Sequence, residues 1–458
     1  MDNTIREVTR ALKGDLVLGD PRSRVLRAAC DSRSIKKGDL FFALKGENED
    51  GHHYAPVAIR EGAGGVVVSH LEWLKRQEEI QGAVIRVENP LESLKKLGGF
   101  IRSSFKGSVV GVTGSNGKTT TKEMIKSILN SLGSGLASQG NYNSQVGMPL
   151  VLSDVRKEHK WMVLEMGATE PGHIRNLCEI ARPKVGVLTS IGPSHLQSFG
   201  SLDRIAESKW ELMDALPMDG CAILPWGVPI LDAHIRPFRK RIVYFGEDSS
   251  CAVRASMIDV GEKIRFRLHV GSQSKLVTLP ISGRVNVMNA LASAAVGWIL
   301  NCSIDQIAHG LKSFQPPHMR MEVLSHQSGA VIINDAYNAN PSSMLESVRT
   351  LVETYPHQPA VLVLGSMLEL GKESEKWHFH VGSEIGRFEM EKIFLLGEEM
   401  ESFLQGAISA GADKERLLRV KDVTELPDVL KPYLRKNRIL FFKGSRNMGL
   451  ERVIQELR

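Results

Sequence analysis

An α/β protein of three domains is what this chain predicts. The expected order is a small N-terminal α/β module, a central domain with a mostly parallel sheet and a phosphate loop, and a C-terminal Rossmann-like domain. Three observations carry the expectation. The 458 residues amount to about three domains at roughly 150 residues each. Strand-length apolar runs alternate with helical patterns along most of the chain, which is the mark of repeated βα units. One of those strands runs straight into a glycine-rich turn that opens a helix.

The elements follow in order. Residues 1–106 alternate short strands and single helices, as in VLRAACDSRSIKKGDLFFALKGENEDGHHYAP and GAGGVVVSH, and are expected to form the small module. Residues 107–315 begin with SVVGV at 108–112, a buried-type strand. In the helix that follows, Met124, Ile125, Ile128, Leu129 and Leu132 fall on one stripe. WMVLE (161–165) and VGVLT (185–189) are further strands, while KIRFRLHV (263–270) and SKLVTLPI (274–281) predict a hairpin appended to this domain. Phe314-Gln315-Pro316-Pro317 breaks the helical pattern. Residues 316–458 then carry AVIIN, AVLVL, KIFLL and RILFF, separated by helices, which is the pattern of a second doubly wound sheet.

Composition bounds the function without naming it. Hydrophobic residues make up 42% and charged residues 24%, the proportions of an ordinary globular chain. The apolar run from Ala290 to Leu300 falls short of the roughly 18 residues a membrane span needs, and the charged N-terminus lacks a signal core. Five scattered cysteines, none in a C-x-x-C spacing, suit a reducing compartment and support neither zinc nor disulfides. A cytoplasmic enzyme without a membrane partner is expected. The net charge of +6 is a small excess with no basic tail; it suits anionic small molecules and argues against nucleic acid.

GVTGSNGKTTT at 111–121 has the strand-to-helix context of a phosphate loop. Backbone N–H groups and the helix N-terminus would face the phosphates, and Lys118, read as an exposed loop lysine, would reach the terminal ones. Thr119 would offer its hydroxyl to Mg²⁺. The first glycine of the strict pattern is displaced, with Val112 at its place and glycines at 111 and 114. ATP is favoured over GTP because no guanine-reading N-K-x-D motif follows. Glu165 ends a strand, where it is either a Mg²⁺ ligand or a solvated acid. His195, also after a strand, says little alone. Lys209 falls on the helical stripe of Ile205, Leu212 and Leu216, and spacing alone points to a lysine that snorkels to water.

Taken together and in this order, these segments resemble the Mur ligase family of peptidoglycan synthesis. The resemblance rests on DSRSIKKGDLFFALKGENEDGHHY (31–54), TGSNGKTT, GNYNSQVGMPL, LEMGATEPG, IGPSHLQSFGS and ESKWEL, continuing through NVMNALASAA, INDAYNANPSSM, MLELG and KGSR. It implies an ATP-dependent amide ligase that works through an acyl phosphate. D-A-Y-N-A-N-P, with no D-N-P-R, points to the branch that adds D-alanyl-D-alanine to UDP-N-acetylmuramoyl-tripeptide. The N-terminal module would then bind UDP-sugar, the centre ATP and the C-terminal domain the dipeptide, in a monomer.

By resemblance, Gly114, Ser115, Asn116, Gly117, Lys118, Thr119 and Thr120 would contact ATP phosphates and Mg²⁺. Asn289, Arg320 and Asp335 would contact the base, phosphate and ribose regions of the nucleotide. Glu165 and His195 would hold Mg²⁺, with two ions expected in all. Lys209 would be carbamylated by CO₂ and act as a further metal ligand, with Lys118, His195 and Lys209 forming the catalytic set. Ser32, Arg33 and Lys45 would lie by the UDP-sugar, or be ordinary surface groups. Asn338 and Asn340 would lie by the dipeptide, or shape the turn before Pro341. The chain departs from the family pattern at Ser144, Ser190, Val285, Ser366 and Leu224-Pro225-Trp226. Two rival readings remain: a related ligase for a third muramoyl residue or folylpolyglutamate, and a catalytically weak nucleotide-binding scaffold.

Overall fold

The computed structural model describes residues 2–46, 49–73 and 81–458. Glu47 and Asn48, inside the 31–54 segment, lie outside the described residues. Three sheets carry the architecture, and each is predominantly parallel. The first orders its strands Asp15–Leu18, Ala83–Arg86, Gly65–Val68, Asp39–Phe42 and Arg27–Ala29, antiparallel only at the first pairing.

The central sheet has nine strands. Its phosphate-loop strand, Ser108–Thr113, lies between Trp161–Glu165 and Val185–Leu188, parallel to both. The chain passes from Ser108–Thr113 to Gly135–Ala137 at the sheet edge, returns to Trp161–Glu165, and then crosses to the other side. That reversal opens a crevice at the carboxyl ends of the strands, where ligands of open α/β sheets collect. The expected hairpin is present as Ile264–Val270 and Gln273–Leu279. It is continuous with the sheet, not merely attached, because Val253–Asp259 pairs with Arg241–Gly246 on one side and the hairpin on the other.

Helices cover both faces of this sheet. The helix Lys118–Leu129 buries Met124, Ile125, Ile128 and Leu129, as the periodicity predicts, whereas Leu132 falls beyond its end and is only partly buried. The alanine-rich helix Val285–Ile299 packs against it. The small residues let the two backbones approach, which brings Asn289 to the phosphate loop.

The third sheet runs Glu322–Ser325, Val331–Asn334, Ile439–Lys443, Ala360–Gly365, Lys392–Leu396 and Leu417–Val420. The four expected strands are all there. The two outermost, Glu322–Ser325 and Leu417–Val420, escaped the apolar pattern because each exposes half of its residues.

Candidate active site

The three segments that follow strands Ser108–Thr113, Trp161–Glu165 and Val185–Leu188 meet helix Leu202–Asp214 and the C-terminal domain around a cavity of about 670 Å³. Ser115 through Thr120, Glu165, His195, Lys209, Asn289, Arg320, Asp335, Asn338 and Asn340 all line it. Sequence separations of more than 200 residues thus collapse into one site. Gly114 does not line it, although its carbonyl accepts from Lys118 Nζ. Ser32, Arg33 and Lys45 do not line it: Arg33 is exposed and paired with Asp31 at 2.9 Å, and Lys45 makes an isolated bridge to Asp50.

Two glycines of the loop have φ near +146° (Gly114) and +81° (Gly117). A side chain on Gly114 would collide with the Thr189 hydroxyl, and one on Gly117 with the Asn289 carboxamide. Asn289 is itself fixed, accepting from Thr121 Oγ1 at 3.2 Å and donating to Asn286 Oδ1 at 2.9 Å. Lys118 is not the exposed loop residue its sequence position suggests. It opens the helix Lys118–Leu129, and its ammonium folds into the loop, donating to Gly114 O at 2.7 Å and Ser115 O at 3.1 Å. Burial pushes that ammonium below its ordinary value; the Glu165 charge opposes the push and Arg320 adds to it.

Glu165 is 3% exposed, so the reading of a solvated strand-end acid is excluded. Thr119 Oγ1 donates to its Oε2 at 2.9 Å and Asn143 Nδ2 to its Oε1 at 3.0 Å. Arg320 Nη2 donates to Thr119 Oγ1 at 3.1 Å while its guanidinium stacks 4.4 Å above the Tyr337 ring. A hydroxyl and a carboxylate this close form an oxygen-donor set suited to a hard divalent cation. His195, at φ 53°, stands 2.5 Å from Glu369 Oε2 through Nδ1. The imidazole at this distance holds the Glu369 carboxyl below its usual range.

Lys209 corrects the snorkelling expectation. It is 2% exposed on the same buried stripe as Ile205, Leu212 and Leu216, with Nζ 5.5 Å above the Phe199 ring. It makes no ion pair among the described residues. Burial first, and the charge of Lys118 second, push it down to about 7.

Asn340 and Asn338 part company. Asn340 caps the helix Pro341–Thr354, accepting from Ser343 N at 2.9 Å, and donates to Asn116 Oδ1 at 2.8 Å. Its polar atoms are engaged within the protein, across the boundary between loop and C-terminal domain. Asn338 is exposed and faces the cavity. Asp335 accepts from Met321 N, Ser347 Oγ and Lys443 Nζ, the last two at 2.6 Å.

Residues that sequence reading missed include Asn143 and Lys443, although both sit inside quoted motifs. The departures have local partners. Ser190 Oγ exchanges hydrogen bonds with the Asn116 backbone. Ser144 Oγ accepts from Gly147 N. Ser366 donates to Glu399 Oε2 at 2.6 Å. Val285 lines the cavity, and Trp226 packs edge-on against Tyr244.

Among the described residues one other grouping, Asp50, His52 and His70, brings metal-ligating atoms within 4.8 Å. Nε2 of His52 accepts from Ser69 N at 2.9 Å, so its proton sits on Nδ1, 2.5 Å from Asp50 Oδ1. Coordination at Nδ1 would break that bond and leave a ring with no proton, so the cluster reads as a clasp on the 50–54 turn.

Three family profiles match in order. "Mur ligase family, catalytic domain" covers residues 28–99, "Mur ligase middle domain" 112–297, and "Mur ligase, glutamate ligase domain" 319–446. The UDP-N-acetylmuramoyl-tripeptide–D-alanyl-D-alanine ligase of Bacillus subtilis is 31% identical over 457 residues, covering 99% of this chain and 98% of the relative. That of Escherichia coli is 30% identical, with 99% and 98% covered. A crystal structure of MurF from Acinetobacter baumannii superposes with a TM-score of 0.88 at 30% identity, covering 100% of this chain and 99% of that one. MurF from Thermotoga maritima in complex with ADP gives 0.80 at 28%, with 94% and 96% covered. With three profiles in sequence and relatives matched end to end, the chain belongs to the Mur ligase family.

Proposed function

We propose that this chain joins D-alanyl-D-alanine to UDP-N-acetylmuramoyl-tripeptide at the expense of ATP. The observation that carries the reading is the convergence of the phosphate loop, Glu165, Lys209 and the 335–340 segment on one cavity, in a chain alike over its whole length to ligases of that name. In this reading residues 1–106 hold the UDP-sugar through Ser32, Arg33 and Lys45. Residues 107–315 hold ATP, and residues 316–458 present the dipeptide near Asn338. The protein works as a cytoplasmic monomer; no described helix is long and apolar enough to cross a membrane.

The tripeptide's terminal carboxylate oxygen attacks the γ-phosphorus of ATP. An O–P bond forms, the bond to the β,γ-bridging oxygen breaks, and ADP leaves. The dipeptide amine then attacks the acyl carbon, the tetrahedral adduct expels phosphate, and the nitrogen sheds its proton. Lys118, turning from Gly114 O and Ser115 O, neutralises charge on the transferring phosphoryl group. Arg320 stands ready beside Thr119 for the same purpose. Domain contacts such as Asn116–Asn340 keep water from the acyl phosphate.

Thr119, Glu165, His195 and a carbamate on Lys209 would hold Mg²⁺, which supplies charge neutralisation for the phosphates; His195 would first have to leave Glu369. The carbamate fits the site's chemistry. A buried amine held at about 7 is largely neutral at pH 8 and nucleophilic toward CO₂, and the Lys118 charge that disfavours the ammonium would favour the resulting anion. Mass spectrometry after incubation with ATP, Mg²⁺, the UDP-linked tripeptide and the dipeptide tests the function. Pentapeptide product with one ADP per bond is expected. Phosphate release that ignores both co-substrates would sink the reading in favour of a nucleotide-binding scaffold.

A further inference from the structure

Lys122 has no part in the reaction described above, yet its side chain is 1% exposed. It lies four residues after Lys118 and three after Thr119 on the helix Lys118–Leu129, so the three share a face. Its ammonium donates to Ser138 O at 2.6 Å, meets Glu123 Oε1 at 3.1 Å and stands 3.9 Å from Glu165 Oε2. Burying an ammonium is costly, and a methionine would fill similar space without that cost. The charge therefore needs a reason.

Ser138 supplies it. Its N–H donates to Val163 O at 3.0 Å, and its hydroxyl accepts from Glu165 N at 3.0 Å. The residue is thus clamped to the end of the strand that carries Glu165, and Lys122 ties that clamp to the helix that carries Lys118 and Thr119. Lys122 also compensates Glu123, a second carboxylate that would otherwise repel Glu165. The Glu165 carboxylate is then oriented on both edges, by Asn143 at Oε1 and by Thr119 with Lys122 behind it at Oε2.

We propose that Lys122 is a positioning residue for the divalent-metal centre: through Ser138 and Glu165 it fixes the helix start against the strand end, so that Thr119 and Glu165 stand ready to take the ion together. The inference rests on reading Thr119 and Glu165 as Mg²⁺ holders. Outer partners of this kind ordinarily carry about 10- to 100-fold in metal affinity.

The test is calorimetric titration of ADP into the full-length chain, once with EDTA and once with Mg²⁺. Lys122→Met and Lys122→Gln should keep metal-free ADP affinity within about 2-fold but lose about 10-fold or more of the gain that Mg²⁺ confers. Lys122→Arg should recover part of it. In turnover, raised Mg²⁺ should partly restore Lys122→Met, with KM for the UDP-linked substrate unchanged. An undiminished Mg²⁺ gain overturns the proposal, and so do equal losses with and without Mg²⁺, which would make Lys122 a structural support of the loop. If Lys122→Met fails to fold, Lys122→Gln, which keeps an N–H for Ser138 O, decides on the same criteria; failure of both to fold overturns it. Glu165→Gln separates the two layers. If it too retains the Mg²⁺ gain, the metal assignment has failed; if it loses the gain while the Lys122 variants keep it, only the role of Lys122 has.

Discussion

Lys209→Met asks whether the buried lysine is desolvated in solution, as its role requires. Burial and the Lys118 charge move the group from 10.5 to about 7. At about 1.4 kcal/mol per pH unit, that is roughly 5 kcal/mol of preference for the neutral amine in the folded chain. Below pH 7 the ammonium is charged in both states and the folded chain bears the whole penalty. Between about 7 and 10.5 the unfolded chain keeps a proton that the folded chain has released, so the penalty shrinks as pH rises and vanishes above 10.5. Methionine fills similar space without the charge. Its stability advantage over the parent should therefore be largest near neutrality and narrow by roughly 2 kcal/mol from pH 7 to pH 9. Urea unfolding in CO₂-depleted buffer measures this, with the buried Trp210 next to Lys209 as a fluorescence reporter. Ionisable groups that do not interact with Lys209 are common to both proteins and cancel; Lys118, whose charge acts on Lys209, is the exception. Readmitting bicarbonate should stabilise the parent alone and produce a carbamate signal with ¹³CO₂. A parent–variant gap constant to within about 0.5 kcal/mol across that range would refute the desolvation, and with it the carbamate.

Gly117→Ala should cut ADP affinity about 10-fold or more, because a positive φ costs a side chain about 1–2 kcal/mol and Asn289 must also yield; calorimetry reads it, and unchanged affinity would contradict the cradle. The two asparagines should separate: Asn338→Ala should raise KM for the dipeptide more than that for ATP. Asn340→Ala should instead cost about 1 kcal/mol of stability through the lost cap, measured by denaturant unfolding. Ser366→Asp should destabilise the C-terminal domain by several kcal/mol, since it sets a second carboxylate against Glu399 in a fully buried position. Adding Glu399→Gln should recover much of the loss, and a thermal-unfolding cycle with no coupling would contradict the pairing.

Much of the architecture was legible in the chain because its signals are local. Buried parallel strands are continuous apolar runs, and TGSNGKTT declares a phosphate loop wherever a strand precedes it. The reading was incomplete: it passed over Cys221–Pro225 and Arg241–Gly246 inside the central sheet, and over the edge strands Glu322–Ser325 and Leu417–Val420, which expose part of their surface so that their composition resembles that of loops. The site was legible as a set of residues and not as an arrangement. Spacing placed Lys209 on an apolar stripe but could not say whether its amine escapes to water, which depends on Phe199 and on helices distant in sequence. It left Glu165 between ligand and solvated acid until burial beside Thr119 and Asn143 excluded the second. Asn338 and Asn340 sit two residues apart in one motif, yet a helix start at Pro341 and a loop more than 200 residues upstream engage one and leave the other free. Nothing in the sequence pattern singles out Lys122, whose burial follows from the strand end and Ser138 packed beside it. Sequence alone determined which elements form and which chemistry-bearing residues end them, because propensity and periodicity act over a few residues. Charge state, orientation and partnership were decided only by the tertiary structure, because desolvation and hydrogen bonding depend on what the folded chain brings alongside.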